Sequence, residues 1–201
     1  MNPKWLVVIV AAAAAAFVYG QATAGAGPAA AKAELGEPAP DFALKDVYGK
    51  QFKLSEFKGR IVVLEWINKN CPYSRGCHEG KKKTMQDTYK KYVAKGLVWL
   101  AIDTTVGVKP EDNRVYAAQM GLAYPILHDL DGKIGHAYRA RTTPHMFVID
   151  KAGKLVYNGA IDDRGSTNYV ALAIEDLLAG RPVAKSRTEE YGCTVKYPPE
   201  K

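Results

Sequence analysis

The chain has 201 residues, enough for one domain with a full hydrophobic core but not for two ordinary ones. Apolar residues make up 47% and charged residues 24%, a balance that excludes a disordered chain and a multi-span membrane protein. The formal net charge of +7 is spread along the sequence, with residues 81–83 as its tight basic cluster, so we expect a solvated surface and no nucleic-acid partner.

The first 24 residues have the layout of a signal peptide. Lys4 precedes an uncharged run over residues 5–19, and small residues then form an A-x-A site at Ala22-Thr23-Ala24. This run is shorter than the roughly 20 apolar residues that a transmembrane helix needs, so cleavage is favoured over an uncleaved anchor. We predict an exported protein, periplasmic or secreted, that has no membrane attachment after cleavage and a net charge of +6, since Lys4 is lost.

The chain beyond the signal peptide divides into three parts. Residues 25–37, rich in alanine and glycine, predict a flexible lead-in, and residues 38–182 predict a globular domain. Polar and apolar residues alternate over 41–44 and 51–54, as in a small hairpin. Hydrophobic periodicity predicts the later elements in order: strand 60–67, helix 81–95, strand 97–102, helix 110–120, strand 125–127, helix 134–138, strands 146–149 and 155–160, and helix 170–178.

This order of elements predicts an α/β fold. Strands joined by helices run parallel and the last two strands form an antiparallel hairpin, which gives a central mixed β-sheet flanked by helices with an N-terminal hairpin extension. Within helix 110–120, Val115, Ala118 and Met120 are assigned to the buried face. Residues 183–201 follow the last helix as a tail that carries Cys193.

The three cysteines predict thiol exchange rather than a structural disulfide framework, since an odd thiol remains after any single bridge. Cys71 follows an apolar strand and precedes a segment with helical spacing, and the start of a helix favours a thiolate. Cys77 lies six residues further on. A regular helix would separate the two by about 9 Å, beyond the ~7 Å limit for bridged Cα atoms, so this bridge requires the first turn to unwind.

Cys193 is the other candidate for the second thiol. It lies in a tail that is long enough to fold back over Cys71, and Gly192 beside it gives the backbone freedom. We therefore favour a Cys71–Cys193 pair over a Cys71–Cys77 pair, with Cys77 otherwise a small buried residue.

Three features in register resemble the thioredoxin-like superfamily, and within it the exported redoxins related to the AhpC/TSA group. They are the apolar strand that leads into Cys71-Pro72, the Thr142-Thr143-Pro144 step before strand 146–149, and the order of strands and helices. The resemblance covers about residues 38–179 and implies a thioredoxin-like fold. It also implies a thiol–disulfide oxidoreductase that exchanges thiols and disulfides with protein clients and requires no cofactor.

The resemblance also implies roles for single residues. In that family the proline that matches Pro144 is cis and faces the reactive cysteine, while the backbone of the preceding residue, here Thr143, pairs with an extended substrate. Pro72 and Tyr73, next to the thiol, are assigned to the same substrate-binding surface. Glu65 matches the buried acid that thioredoxins place beneath the active site, where a carboxylate carries protons for thiol chemistry. The alternative for Glu65 is a place at a strand edge or a pair with a lysine.

A thiol peroxidase of the peroxiredoxin-like group is the first alternative function. The fourth position of the thioredoxin C-x-x-C motif is Ser74 here, as in monothiol variants of the superfamily. Peroxiredoxins, however, place a proline and a threonine seven and three residues before the attacking cysteine, and those positions hold Leu64 and Asn68. The peroxidase prediction is therefore weaker than dithiol exchange.

A Cu(I)-binding module is the second alternative. Cys71 and Cys77 with His78 or His145 would supply soft ligands, but the cysteine spacing of copper chaperones on this fold is absent, so no metal ligand is assigned. The run Asp162-Asp163-Arg164 is similar to a loop of the redoxin family, and the sequence assigns it no mechanism.

Overall fold

A computed structural model describes residues 32–79 and 83–199. The expected signal peptide, residues 1–24, and most of the lead-in lie outside the described residues, as do two of the three basic residues of the 81–83 cluster. The elements are β1 (Ala43–Asp46), β2 (Gln51–Lys53), a 3-10 turn (Leu54–Phe57), β3 (Val62–Trp66), α1 (Pro72–Gly76), α2 (Thr84–Val93), β4 (Val98–Asp103), α3 (Pro110–Met120), β5 (Ile126–His128), α4 (Lys133–Tyr138), β6 (Thr142–Thr143), β7 (His145–Ile149), β8 (Leu155–Gly159), α5 (Tyr169–Leu178) and β9 (Cys193–Thr194).

Seven of the strands form one mixed sheet in the order β2-β1-β5-β4-β3-β7-β8. Strands β3, β4 and β5 are parallel, whereas β1, β7 and β8 run antiparallel to their neighbours. The predicted α/β fold with a mixed sheet is confirmed. The N-terminal hairpin is less separate than expected, because β1 pairs with β5 and makes the hairpin one edge of the main sheet.

Strand β3 passes through the centre of the molecule with all five residues buried. Its side chains alternate between two cores, as the two-residue period of a strand requires. Val63 belongs to the core on the face of α2, α3 and α5. Trp66 belongs to the other core, where its ring lies 5.3 Å from that of Tyr138 in α4 and where Val195 of the tail is also buried. The tail is thus part of the folded domain.

The described part of the lead-in, residues 32–37, is bound to the domain and corrects the expectation of a flexible segment. The Ala33 N–H donates to the Ala137 carbonyl at 2.8 Å, and the Leu155 N–H donates to the Glu37 carbonyl at 3.0 Å. The Ala33 side chain is buried in the core that contains Trp66. Alanine is small enough to enter this core, and the composition of the segment does not reveal its backbone pairing.

Helix α3 buries a different face from the one predicted. Val115 is 53% exposed, whereas Asn113 and Tyr116 are buried. The Asn113 amide donates to the Asp103 carboxylate, and the Tyr116 hydroxyl lies 3.1 Å from a ring nitrogen of His78. Polar partners fix this helix, so apolar periodicity alone placed Met120 correctly against the core but was wrong for Val115 and Ala118. Within the two described ranges, no helix combines the length and the apolar character needed to cross a membrane.

Candidate active site

Cys71 lies between β3 and α1, as its position in the sequence predicts. It has an extended backbone and forms the N-cap of the helix, with Pro72 as the first helical residue. Proline suits this position because its fixed φ matches the helix and the first N–H groups of a helix have no intrahelical partner. The Cys71 N–H donates to the Asn68 carbonyl, and the Arg75 N–H donates to the Cys71 carbonyl. These bonds fix the turn that presents the sulfur.

The loop before β7 faces Cys71. The Thr143–Pro144 peptide bond is cis, and the Cys71 thiol donates a hydrogen bond to the Thr143 carbonyl at 3.0 Å. Cys71 and Thr143 are each only 1% exposed. The reactive-cysteine candidate and the loop expected to bind substrate are therefore in direct contact, and little of either reaches solvent.

The C-terminal tail folds back onto this loop and brings a second thiol to the site. Strand β9 pairs antiparallel with β6, with Cys193 opposite Thr143. The next residues stay in place because the Val195 N–H donates to the Arg141 carbonyl at 3.0 Å. The Cys193 and Cys71 thiols lie close enough for each to shift the pKa of the other. The tail thus occupies the backbone edge at which the family pairs with an extended substrate.

The two adjacent thiols have opposite protonation tendencies. Burial opposes ionisation of Cys71, but hydrogen bonds with the Cys193 thiol and the Thr143 hydroxyl, and with the Ser74 and Cys193 N–H groups, lower the pKa of Cys71 below the ordinary cysteine value. The pKa of Cys193 is raised to about 11. The first cause is a hydrogen bond between its thiol and the Cys71 sulfur, and the second is partial burial. The pair therefore favours a thiolate on Cys71 and a protonated thiol on Cys193.

Cys77 lies at the opposite end of α1, with the helix intact between it and Cys71. Burial raises the pKa of Cys77 to about 12, helped by the negative charges of Glu65 and Asp162 and only partly offset by the Tyr191 hydroxyl. The Cys77 sulfur lies 3.8 Å from that hydroxyl. A buried thiol with a raised pKa is a poor nucleophile.

Glu65 is fully buried in the central strand β3. One of its oxygens accepts hydrogen bonds from the Trp99 indole at 2.9 Å and from the Tyr124 hydroxyl at 3.3 Å. Its other oxygen lies 2.9 Å from Nε2 of His78, although the ring N–H is not aligned for a full hydrogen bond. The strand-edge alternative is wrong, and among the described residues the partners of Glu65 are Trp99, Tyr124 and His78, not a lysine. His78 is likewise buried.

His145 supports the loop that faces Cys71. Its Nδ1 accepts a hydrogen bond from the Arg141 N–H at 3.2 Å, and its Nε2 lies 2.7 Å from the Asn158 side-chain oxygen. Burial lowers the pKa of His145 to about 4. Over residues 32–79 and 83–199, no three His, Cys, Asp or Glu side chains form a group that could hold a metal ion. The residues considered for copper are thus not brought together in that part of the chain.

A second contact region between the tail and the domain was not predicted from the sequence. The Tyr191 hydroxyl donates to the Asp162 carboxylate at 2.6 Å. The Arg164 guanidinium lies 4.5 Å from the centre of the Tyr191 ring and 5.7 Å from that of Tyr73, and the two rings are 6.3 Å apart. We call these four residues the tyrosine clamp. The signals available in the sequence were the unassigned run at 162–164 and an aromatic residue close to Cys193.

The fold is shared with two solved structures. An uncharacterized conserved protein from Geobacillus kaustophilus has a TM-score of 0.76 and 28% sequence identity, covering 84% of this chain and 94% of that protein. A hypothetical protein from Sinorhizobium meliloti 1021 has a TM-score of 0.74 and 26% identity, covering 82% of this chain and 95% of that one. This fold, with the loop of Thr143 and Pro144 facing Cys71, is that of a thioredoxin-like protein.

Residues 35–158 match the AhpC/TSA family, and the chain belongs to that family. It is also similar to the thiol-disulfide oxidoreductase ResA of Bacillus thuringiensis subsp. konkukian, with 34% identity over 128 residues. That alignment covers 62% of this chain and 69% of ResA. Family, relatives and the two thiols in contact make the chain a thiol–disulfide oxidoreductase.

Proposed function

We propose that Cys71 is the attacking thiol and Cys193 the resolving thiol of a dithiol–disulfide exchange with protein clients. The observation that carries this proposal is the pairing of β9 with β6, which places Cys193 opposite Thr143, the residue whose carbonyl accepts the Cys71 thiol. In addition, Cys71 has the lowered pKa and Cys193 the raised one. A thiolate is the nucleophile in such exchange, so the thiol that ionises more readily attacks first. The Cys193 thiol beside it is the resolving group.

The exchange proceeds in two steps. The Cys71 thiolate attacks one sulfur of a client disulfide, the client S–S bond breaks, and the other client sulfur leaves as a thiolate. Cys193 then loses its proton and attacks the Cys71 sulfur, which releases the remaining client thiolate and forms a Cys71–Cys193 disulfide. The client gains two electrons and the protein loses two. The reverse sequence oxidises a client dithiol.

We assign Thr143, Pro144, Pro72 and Tyr73 to client binding, as the family resemblance implies. In support, the backbone of Thr143 already pairs with an extended segment, the tail strand β9. Because that segment occupies the edge, a client strand reaches Thr143 only when the tail moves away.

We assign Glu65 the role of proton carrier. In support, it is a fully buried carboxylate on the strand that leads to Cys71, and its hydrogen bonds come from neutral donors, Trp99 and Tyr124. The interactions that lower the pKa of Cys71 most come from Cys193 and Thr143. Glu65 would therefore act on proton transfer instead of setting the Cys71 pKa.

We also propose that the protein works outside the cytoplasm. The layout of residues 1–24 supports this location, and exported compartments are where disulfides form and persist. The substrates are then thiols or disulfides of exported proteins.

Disulfide mapping by mass spectrometry tests this function on the full chain and its Cys71→Ser, Cys77→Ser and Cys193→Ser variants, each treated with glutathione disulfide. We expect a Cys71–Cys193 bridge in the parent chain and in Cys77→Ser. Cys193→Ser should accumulate glutathione on Cys71, and Cys71→Ser should lose exchange by roughly a thousandfold or more. When the protein is expressed with its leader in a bacterial host, the intact mass should correspond to a chain that begins at Gly25.

A bridge that excludes Cys71 would end this proposal. If no bridge forms and peroxide instead converts Cys71 to a stable sulfenic acid at a high rate, the peroxidase alternative replaces it.

A further inference from the structure

The loop at residues 162–164 contacts Tyr191 of the tail, a contact that has no role in the exchange reaction described above. Asp162 accepts the Tyr191 hydroxyl at 2.6 Å, and the Arg164 N–H donates to the same carboxylate at 2.9 Å. The Arg164 side chain covers the rings of both Tyr191 and Tyr73. Since Tyr73 lies in α1, two residues after Cys71, the tyrosine clamp ties the tail directly to the helix that presents the attacking thiol.

Gly192 fixes the register of the tail between the clamp and the second thiol. Its φ is +134°, and a Cβ built at this position would lie 2.1 Å from the Thr143 carbonyl oxygen. Only glycine allows such a close approach, so the tail backbone lies directly against the backbone of the loop that faces Cys71. Tyr191 and Gly192 together leave Cys193 one defined position, opposite Thr143.

We propose that Tyr191, held by Asp162 and Arg164, is a positioning residue that docks Cys193 for resolution and, by the same contact, covers Cys71 before the attack. The inference rests on the proposed exchange between Cys71 and Cys193. It assigns the 162–164 loop a function, as the receptor for the tail.

The two steps of the exchange make opposite demands on this contact. Cys71 is 1% exposed, so an external disulfide reaches it only when the tail undocks. Resolution requires the reverse, because Cys193 must return to the Cys71 sulfur. A weaker clamp should therefore speed the attack and slow the resolution. Loss of folding would not produce this pair of opposite changes.

A single-turnover reaction of the reduced full chain with the aromatic disulfide dithiobisnitrobenzoate separates the two steps. Attack by Cys71 breaks the reagent's S–S bond, forms a mixed disulfide and releases one coloured thiolate. Attack by Cys193 on the Cys71 sulfur then releases the second thiolate and leaves the Cys71–Cys193 disulfide. The two phases are followed by absorbance, and the product is mapped by mass spectrometry.

Tyr191→Phe removes the hydroxyl and keeps the ring. A hydrogen bond to a charged group is among the stronger ones, so we expect the first phase to become faster and the second slower, each by roughly threefold or more. Gly192→Ala, whose Cβ has no room beside Thr143, should slow the second phase by roughly tenfold or more. Arg164→Gln should act in the same direction as Tyr191→Phe, with a smaller effect.

Tyr48→Phe is the matched control, since Tyr48 is 75% exposed in the N-terminal hairpin; both phases should keep the parent rates. The proposal is overturned if Tyr191→Phe leaves both phases unchanged or moves them in the same direction. A parent chain that releases one thiolate and never the second would instead contradict the exchange between Cys71 and Cys193, and so separates failure of the function from failure of the clamp.

Discussion

The two ends of helix α1 carry cysteines whose surroundings shift the thiol pKa in opposite directions. Cys71 at the start and Cys77 at the end are both nearly inaccessible, at 1% and 7% exposure. Burial opposes ionisation of each. At Cys71 it is outweighed by hydrogen bonds, chiefly from Cys193 and Thr143, whereas at Cys77 the charge of Glu65 adds to it. The Tyr191 hydroxyl also lowers the pKa of Cys77 but does not offset burial there, so the balance between hydrogen bonds and burial distinguishes the two thiols.

The two ends also differ in what encloses them. The Cys77 end lies against the core, beside a buried cluster that includes Glu65 and His78. The Cys71 end is covered by the two-residue tail strand β9, which pairs with β6 outside the main sheet. A thiol that must meet other proteins needs a removable cover, and a thiol that must stay inert needs a permanent one. Changes on each side should therefore have different consequences.

The largest effect on stability is expected at the Cys77 end. Glu65→Gln keeps an acceptor for Trp99 and Tyr124 but removes the charge that faces His78. Loss of one partner from a buried ion pair lowers the free energy of unfolding by about 3 kcal/mol or more. Urea unfolding at neutral pH measures this cost. The substitution should also change the pH profile of the resolution step, if Glu65 carries protons.

The double variant Glu65→Gln/His78→Gln tests whether the two residues are coupled. Its destabilisation should be smaller than the sum of the two single effects. Glu56→Gln, at an exposed position, is the matched control and should stay within about 0.5 kcal/mol of the parent. A cost below about 1 kcal/mol for Glu65→Gln would show that the pair is not ionic.

A smaller effect, dependent on pH, is expected from His145, which supports the loop facing Cys71. Burial, with the charges of Arg141 and Arg187, lowers its pKa from 6.5 to about 4, opposed by the Asn158 hydrogen bond and by Glu190. Above pH 6.5 the ring is neutral in both the folded and unfolded states. As the pH falls, the unfolded chain binds a proton that the folded chain rejects, so stability decreases by up to about 3 kcal/mol by pH 4.

His145→Gln should remove this part of the acid dependence. The measurement is the difference between the parent and the variant in free energy of unfolding at neutral pH and near pH 4. Equal changes in the two proteins would show that His145 titrates normally in the fold.

The sequence predicted one side of the site better than the other. Cys71 could be placed because an apolar strand, a proline and a helical spacing are adjacent in the chain. Cys193 lies 122 residues further on, and its pairing with Thr143 depends on a tail whose short strand has no periodicity to detect. The buried partners of Glu65 were missed for a related reason. Trp99 and Tyr124 look like ordinary core aromatics until the fold turns their polar atoms toward one carboxylate.

The titration of Cys71 in a Cys193→Ala variant tests the comparison of the two cysteines directly. Cys193→Ala removes the thiol hydrogen bond that helps to lower the pKa of Cys71 but leaves the burial that raises it, so the pKa of Cys71 should rise. Ultraviolet absorbance of the thiolate as a function of pH measures the shift, and the rate of attack at neutral pH should fall with the thiolate fraction. Cys77→Ala is the matched control, because the hydrogen bonds that lower the Cys71 pKa come from Cys193, Thr143 and Ser74 and not from Cys77. If Cys193→Ala leaves the titration unchanged, donors other than Cys193 hold the thiolate, and the difference between the two ends of α1 would come from the helix start and Thr143 instead of the tail.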